Sequence, residues 1–453
     1  MRITKAQAAV ITLLNLLIAA LLAVIFFYPM LGRSASAAPS GSDDPPETDV
    51  IGEPDPPPHE KYRKASDGKV SEILRETRLM GSGDESVVDV YFANGSTYIF
   101  GNATVGDLDF DGYGGFLCVL NGGGDIVKYT YFTGFVTAVG AVDGGFAVSA
   151  LSGAGTADET AELYFAGFDG EAKSVARLTG GAVKIFAIDT KKTAVVTQPT
   201  PTSFKFTEYT VGERWTTGRS TVMDDNGCTL EFFDCYDFGE SYVISARSYS
   251  PKIYDAAVFF SFIPGGDAAA SRRGGGGEQA VRPYAVMPYM PLGYYVLCDI
   301  GGKAAVMCVE YSFVKYHVSM LDFSFSSARL LRADGKYYAA FERDVGAELY
   351  EIGSDFTCVK VSATDGIAMQ AVSSGGAEIM AGKSAKKSGE ASDECAFLLP
   401  STGDILLLSV ENAIVYDGKK TADGVTFVLS ASGGEALTLP SGGRDIYVIT
   451  IKV

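Results

Sequence analysis

The chain has 453 residues and a formal net charge of −18, which argues against nucleic acid as a partner, because holding a phosphate backbone takes a concentrated basic surface. Hydrophobic residues at 47%, with 24 tyrosines and 27 phenylalanines, supply an ample core, and 53 glycines imply many turns between many short strands. Seven cysteines, at 118, 228, 235, 298, 308, 358 and 395, are too scattered for a disulfide scaffold, and no CxxC or Cys/His cluster points to zinc or redox chemistry.

Residues 1–33 carry Arg2 and Lys5, then an uncharged, mostly apolar run from Ala6 to Gly32, then Arg33. A run of about 20 apolar residues crosses a bilayer. The basic residues precede it and the next charges are Asp43, Asp44 and Glu47, so the expected topology is a single-pass membrane helix with a cytoplasmic N-terminus and everything after it outside. The competing reading is a cleaved signal peptide, since Ala35-Ser-Ala37 before Ala38 has the small-x-small form of a cleavage site. The apolar run exceeds the usual h-region of about 7–15 residues, which favours the retained anchor; cleavage would make the protein secreted. No cysteine lies near the segment, which argues against a lipid anchor.

Residues 34–69 are rich in proline and acids, including Asp43-Asp-Pro-Pro-Glu-Thr-Asp49 and Glu53-Pro-Asp-Pro-Pro-Pro58. Such a segment builds no core and stays extended, so it is expected to be a disordered stalk. Residues 70–453 form the third region. Val70 to Leu79 fits a short helix or an outer strand; its place just before the first repeat favours a strand that closes a ring by pairing with the last unit.

The third region repeats a hairpin first met as Phe116-Leu-Cys-Val-Leu-Asn-Gly-Gly-Gly-Asp-Ile-Val-Lys-Tyr-Thr-Tyr-Phe132. An apolar run, a Gly/Asp turn and a second alternating run recur near Glu162, Phe204, Ala256, Ala304, Glu348, Cys395 and Ala436, and another strand pair precedes each. Four short strands in units of about 40–50 residues are the signature of propeller blades. The expected fold is therefore an all-β propeller of eight units, about 84–133, 134–180, 181–224, 225–281, 282–327, 328–366, 367–411 and 412–453, with seven as the alternative count. Two polar inserts, Ala268–Gly277 and Lys383–Glu390, read as exposed loops. Cys298 and Cys308 flank the turn 300–303; a centred hairpin pairs 298 with 305 and 308 with 295, so these two thiols miss each other.

The strongest local chemical motif is Asp107-Leu-Asp109-Phe-Asp111-Gly112. Three carboxylates at alternate positions before a glycine match the start of a calcium loop. The match then stops, because Cys118 stands where an EF-hand frame needs its bidentate Glu. Strand alternation alone also puts all three on one face, so a solvated acidic loop competes with the calcium site, and no other cofactor is suggested.

Leu79-Met-Gly-Ser-Gly-Asp-Glu85, Asp89-Val90, Asn94-Gly-Ser-Thr-Tyr-Ile-Phe-Gly-Asn102 and Asp107-x-Asp109-x-Asp111-Gly-Tyr-Gly-Gly-Phe-Leu-Cys-Val-Leu120 resemble the bacterial surface beta-propeller repeat family over about residues 79–131. Beyond that stretch the similarity is architectural. The resemblance implies an extracytoplasmic propeller and carries no shared catalytic residues.

The enzyme reading has little to build on. The chain has two histidines, His59 in the stalk and His317 in Val314-Lys-Tyr-His-Val318, and no Gly-x-Ser-x-Gly elbow accompanies them. Sialidase-type propellers repeat a Trp-ending turn, and this chain has a single tryptophan, Trp215. A glycosidase needs only two carboxylates at the right separation, so acids converging at the propeller channel are the discriminating feature. The leading expectation is a monomeric, membrane-held binding or scaffold module for a protein or glycan; the alternative is a carboxylate-dependent hydrolase.

Overall fold

The computed structural model describes residues 69–452 except 71, 80–84, 104–113, 155–158, 251–252, 274–280, 290–292, 312–315, 334, 344–345, 366, 373–379, 385–393, 400–403, 411–412, 421–423, 433–436 and 438–443. The membrane helix and stalk expected within 1–68, and the loop carrying Asp107, Asp109 and Asp111, lie outside the described residues. Those residues contain strands and turns and no helix, so none is long and apolar enough to cross a membrane.

The strands assemble into eight sheets, six of them built of four strands consecutive in the chain, while the last two also take a strand from the N-terminal end. We number them as blades 1 to 8: 85–132, 135–178, 182–224, 229–273, 281–320, 327–365, 367–409, and 414–451 completed by 73–79. The first strand of each blade meets the next blade's first strand, except that the first strand of blade 7 meets the second and third strands of blade 6, and blade 1 meets the strands of blade 8, so the ring closes into a β-propeller. The units read from the sequence match these sheets within two residues at most ends and within eight at the ends of blades 4 and 5. Two details differ. In blade 8 the third strand is Asp445–Ile451 and the fourth comes from the N-terminus, while Ala436, the expected start of a hairpin, lies outside the described residues. Ala269–Arg273, and Lys383 and Ser384 at the end of the strand Met380–Ser384, expected within exposed loops, are parts of strands of blades 4 and 7. Ala269–Arg273 is an edge strand with little apolar alternation held by the ladder of its neighbour, whereas Met380–Ser384 is laddered on both sides, to Ile367–Val372 and Glu394–Leu399.

Closure uses the strand expected before the first repeat. Ile73–Leu79 runs antiparallel to Asp445–Ile451, from Ile73↔Ile451 to Leu79↔Ile446, while Lys69–Val70 adds a short parallel strand to the outer edge of blade 7. Arg78 Nε lies 3.5 Å from Asp445 Oδ2, joining the N-terminal strand to the C-terminal one by a buried ion pair.

The core lies between the faces of adjacent sheets. Tyr98, Phe100 and Leu117 of blade 1 pack with Phe146 and Val148 of blade 2, Phe100 and Phe146 edge to face at 5.2 Å between centroids. Phe204 and Phe206 of blade 3 meet Tyr242, Ile244 and Phe260 of blade 4 in the same way. Gly140 on the first strand of blade 2 permits a still closer approach, since a Cβ there would come within 2.2 Å of the Ile185 carbonyl oxygen of blade 3.

Polar latches repeat around the rim. Thr77 of blade 8 donates to Gly124 O of blade 1 at 2.6 Å, Thr130 of blade 1 to Gly170 O of blade 2 at 2.5 Å, and Thr221 of blade 3 to Gly266 O of blade 4 at 3.2 Å. Ser319 of blade 5 completes the series by donating to Phe356 O of blade 6 at 2.9 Å. Gly124 and Gly170 take positive φ in their turns, whereas Phe356 holds φ 68°. A non-glycine residue pays strain in that region; Phe356 is held there between the rings of His317 and Tyr289.

Candidate functional site at the hub

A β-bulge interrupts the ladder between the first and second strands at a common position. Register shifts fall just before Asp89, Ala138, Lys184, Asp234, Ala285, Ala371 and Asp417 on the first strands of blades 1, 2, 3, 4, 5, 7 and 8. Blade 6 is unbulged, and its equivalent residue is Arg329, paired with Ala340 as Asp89 is with Phe100. The hub thus carries one ring of residues reading Asp, Ala, Lys, Asp, Ala, Arg, Ala, Asp. A bulge re-aims the side chain that follows it, so the repeated defect sets the chemistry of the ring.

Each aspartate of this ring caps its own bulge. Oδ1 of Asp89, Asp234 and Asp417 accepts the backbone N–H of Val90, Cys235 and Gly418 at 2.9, 2.8 and 2.7 Å respectively. Further partners come from another blade for Asp234 and from the same strand for Asp89. Lys184 Nζ of blade 3 lies 3.1 Å from Asp234 Oδ1 of blade 4, and the Tyr91 hydroxyl donates to Asp89 Oδ2 at 2.8 Å. Tyr91 also reaches Val139 O of blade 2 at 3.2 Å, as Tyr236 of blade 4 reaches Val286 O of blade 5 at 2.8 Å. The two tyrosines are inner counterparts of the rim latches.

Charge is shared across the ring. Burial holds Asp89 above the usual carboxylate range; the bonds from Tyr91 and Val90 and the charge of Lys184 oppose this, while Asp417 adds to it. Lys184 and Asp89 sit on blades 3 and 1 with blade 2 between them, where Ala138 occupies the ring position. Their fields therefore meet over a small side chain. Burial, then the charge of Asp89, drives the Tyr91 phenol far above its ordinary value and keeps it a donor. Arg329 is exposed to water yet hemmed in closely enough that desolvation lowers its guanidinium pKa, with Glu342 opposing.

The other residues singled out in the sequence do not join this ring. Asp107, Asp109 and Asp111 lie outside the described residues, and no group of His, Cys, Asp and Glu suited to a metal occurs among the described residues. His317 is an exposed residue on the fourth strand of blade 5, its ring stacked on Phe356 at 4.9 Å. Cys118, Cys228, Cys235, Cys298, Cys308 and Cys358 are buried free thiols, and Cys298 pairs with Ala305 and Cys308 with Tyr295 as the centred turn requires. Desolvation pushes the thiols of Cys118, Cys298, Cys308 and Cys358 up to about 12, which makes them inert. The sequence reading passed over the ring, although the Asp-x-Tyr shared by Asp89-Val-Tyr91 and Asp234-Cys-Tyr236 marks it in two units.

No protein-family model matches the chain, and no curated protein sequence does. Among solved structures it is similar to the beta-propeller domain of the Trilobed protease from Pyrococcus furiosus, at 8% identity and a TM-score of 0.40, over 82% of this chain and 94% of that one. It is similar to a dihydro-heme d1 dehydrogenase at 14% identity and a TM-score of 0.48, over 86% of this chain and 82% of that one. A periplasmic gluconolactonase from Pseudomonas aeruginosa matches at 15% identity and a TM-score of 0.41, over 64% of this chain and 94% of that one.

Proposed function

We propose that the protein is an extracytoplasmic binding module, held at the membrane by its N-terminal segment, which takes part of a protein or glycan ligand at the hub of the propeller. The observation that carries this reading is how the ring charges are fixed: Asp89, Asp234 and Asp417 are each tied to a backbone N–H, and Lys184 is tied to Asp234. Polar groups locked before a ligand arrives lose little freedom when it binds. The apolar N-terminal run and the resemblance of residues 79–131 to surface propeller repeats support the location. The test is ligand retention by the full-length protein in membranes, wild type against an Asp89→Asn, Lys184→Ala double variant; a loss of about tenfold or more, which is about 1.4 kcal/mol, is expected. Equal retention sinks the hub as the site.

A second reading, a carboxylate-dependent hydrolase, is favoured by one observation: Asp89 is held above the usual range and feels Asp417 of the neighbouring blade. Two carboxyl groups pushed apart in pKa can divide the acid and base roles of glycoside hydrolysis. Turnover of glycosides abolished by Asp89→Asn would establish it, and absence of any turnover across a glycoside panel counts against it.

A further inference from the structure

We infer that the hub ligand, on the binding reading above, presents a zwitterionic end: a carboxylate taken by Arg329 and an ammonium taken on the side of Asp89 and Asp417. The two cations of the ring are treated differently by the fold. Lys184 has its acid in place, Asp234 Oδ1 at 3.1 Å from Nζ. Arg329 has no ion pair or hydrogen bond within the described residues; the charge of Glu342 on its neighbouring strand acts on it only through space. A planar guanidinium offers five donors in a fork that fits a carboxylate bidentately, so Arg329, the ring cation with no acid in place, is the group in the ring that gains most from an incoming carboxylate.

The opposite charge lies two and three blades further round the ring. Asp89 and Asp417 occupy the ring position on the adjacent blades 1 and 8, and blade 6 with Arg329 is separated from blade 8 by blade 7. Ala138 stands at the ring position of the blade beyond blade 1, so a small residue flanks the acidic pair on that side. Asp89 Oδ2 accepts from Tyr91, and a carboxylate oxygen has a second lone pair for another donor. The ring also contains its own example of the contact, since the Lys184 ammonium already rests on an aspartate of the same ring position. Short peptides with free ends carry both groups, and their length sets the spacing.

The experiment is calorimetric titration of the full-length protein in detergent with tri- to pentaalanine carrying free termini, and with the same peptides amidated at the C-terminus or acetylated at the N-terminus. Free peptides of one length are expected to bind, with at least tenfold loss on either capping. Arg329→Gln should abolish the effect of amidation and keep that of acetylation, Asp89→Asn the reverse, and Arg329→Lys should recover part of the carboxylate preference. Binding indifferent to capping, or no binding by any free peptide, overturns the inference; hub-dependent binding of a neutral glycan would overturn it while leaving the binding module intact.

Discussion

Lys184 and Asp234 stand at the same position of successive first strands, one just after the bulge of blade 3 and one just after that of blade 4, and they meet at 3.1 Å. A repeated backbone irregularity thus becomes a ring of charge whose identity each blade sets by one residue. Both side chains keep about a third or more of their surface exposed, 40% and 33%. Such a pair adds little to stability, about 0–1 kcal/mol, so Lys184→Ala should leave the unfolding midpoint nearly unchanged while altering the ring's electrostatics. A large drop in chemical denaturation would assign Lys184 a structural role instead.

Asp89 yields a pH test. Its folded pKa lies above the unfolded one, burial being the main cause. The group therefore stabilises the fold below its unfolded pKa of about 3.9, and this contribution is lost as pH rises through the folded value. Asp89→Asn removes the cost of ionising there, so its stability relative to wild type should improve from pH 4 to pH 7 in urea titrations. A constant difference over that window would mean Asp89 titrates normally.

Glu348 behaves in the opposite sense. Burial raises its pKa, but bonds from Tyr350 and Lys360 at 2.7 and 3.0 Å, with Arg343 beside them, outweigh burial and leave it lowered. Its contribution is present above the unfolded value of about 4.3 and is lost as pH falls through the folded one. Glu348→Gln should cost about 1–3 kcal/mol at pH 7, and the gap to wild type should close in acid. A gap independent of pH would contradict the assignment.

The N-terminal strand should govern ring closure. Arg78→Met leaves Asp445, which is fully buried, without the cation beside it, and loss of one partner of a buried pair costs about 3–5 kcal/mol. Thr77→Val removes one rim bond and should cost about 1 kcal/mol. Thermal unfolding of the two variants should rank in that order; equal shifts would show that the seam is held by the ladder alone.

The cysteines should be silent in the folded protein. With thiols at about 12 in Cys118, Cys298, Cys308 and Cys358, alkylation at pH 8 should proceed only with unfolding. Rapid labelling of any of these four in native buffer would show that blade to be open.

The repeat period and the closing strand were legible because alternation between Gly/Asp turns is a local property, visible in Phe116–Phe132 and again at Ala304. Blade 8 was misphased because its fourth strand lies at the other end of the chain, a non-local pairing that only the Ile73–Leu79 pattern hinted at. The hub ring escaped notice for a related reason. A bulge shifts the alternation by one residue, so Asp89 reads as an ordinary outward residue of Glu85–Ala93 until its pairing with Phe100 is known. Lys184, Asp234 and Arg329 share no motif, and only register places them together.

The measurement that bears most directly on the hub as a ligand site is quantitative binding of the full-length protein to an array of cell-envelope glycans and peptides, with wild type, Asp89→Asn, Lys184→Ala and Arg329→Gln run side by side and folding checked by circular dichroism. The account predicts a retained, unhydrolysed ligand whose affinity falls at least tenfold, about 1.4 kcal/mol, in one or more of these folded variants. Binding unchanged in all three, or conversion of the ligand to product by the wild type, would contradict it.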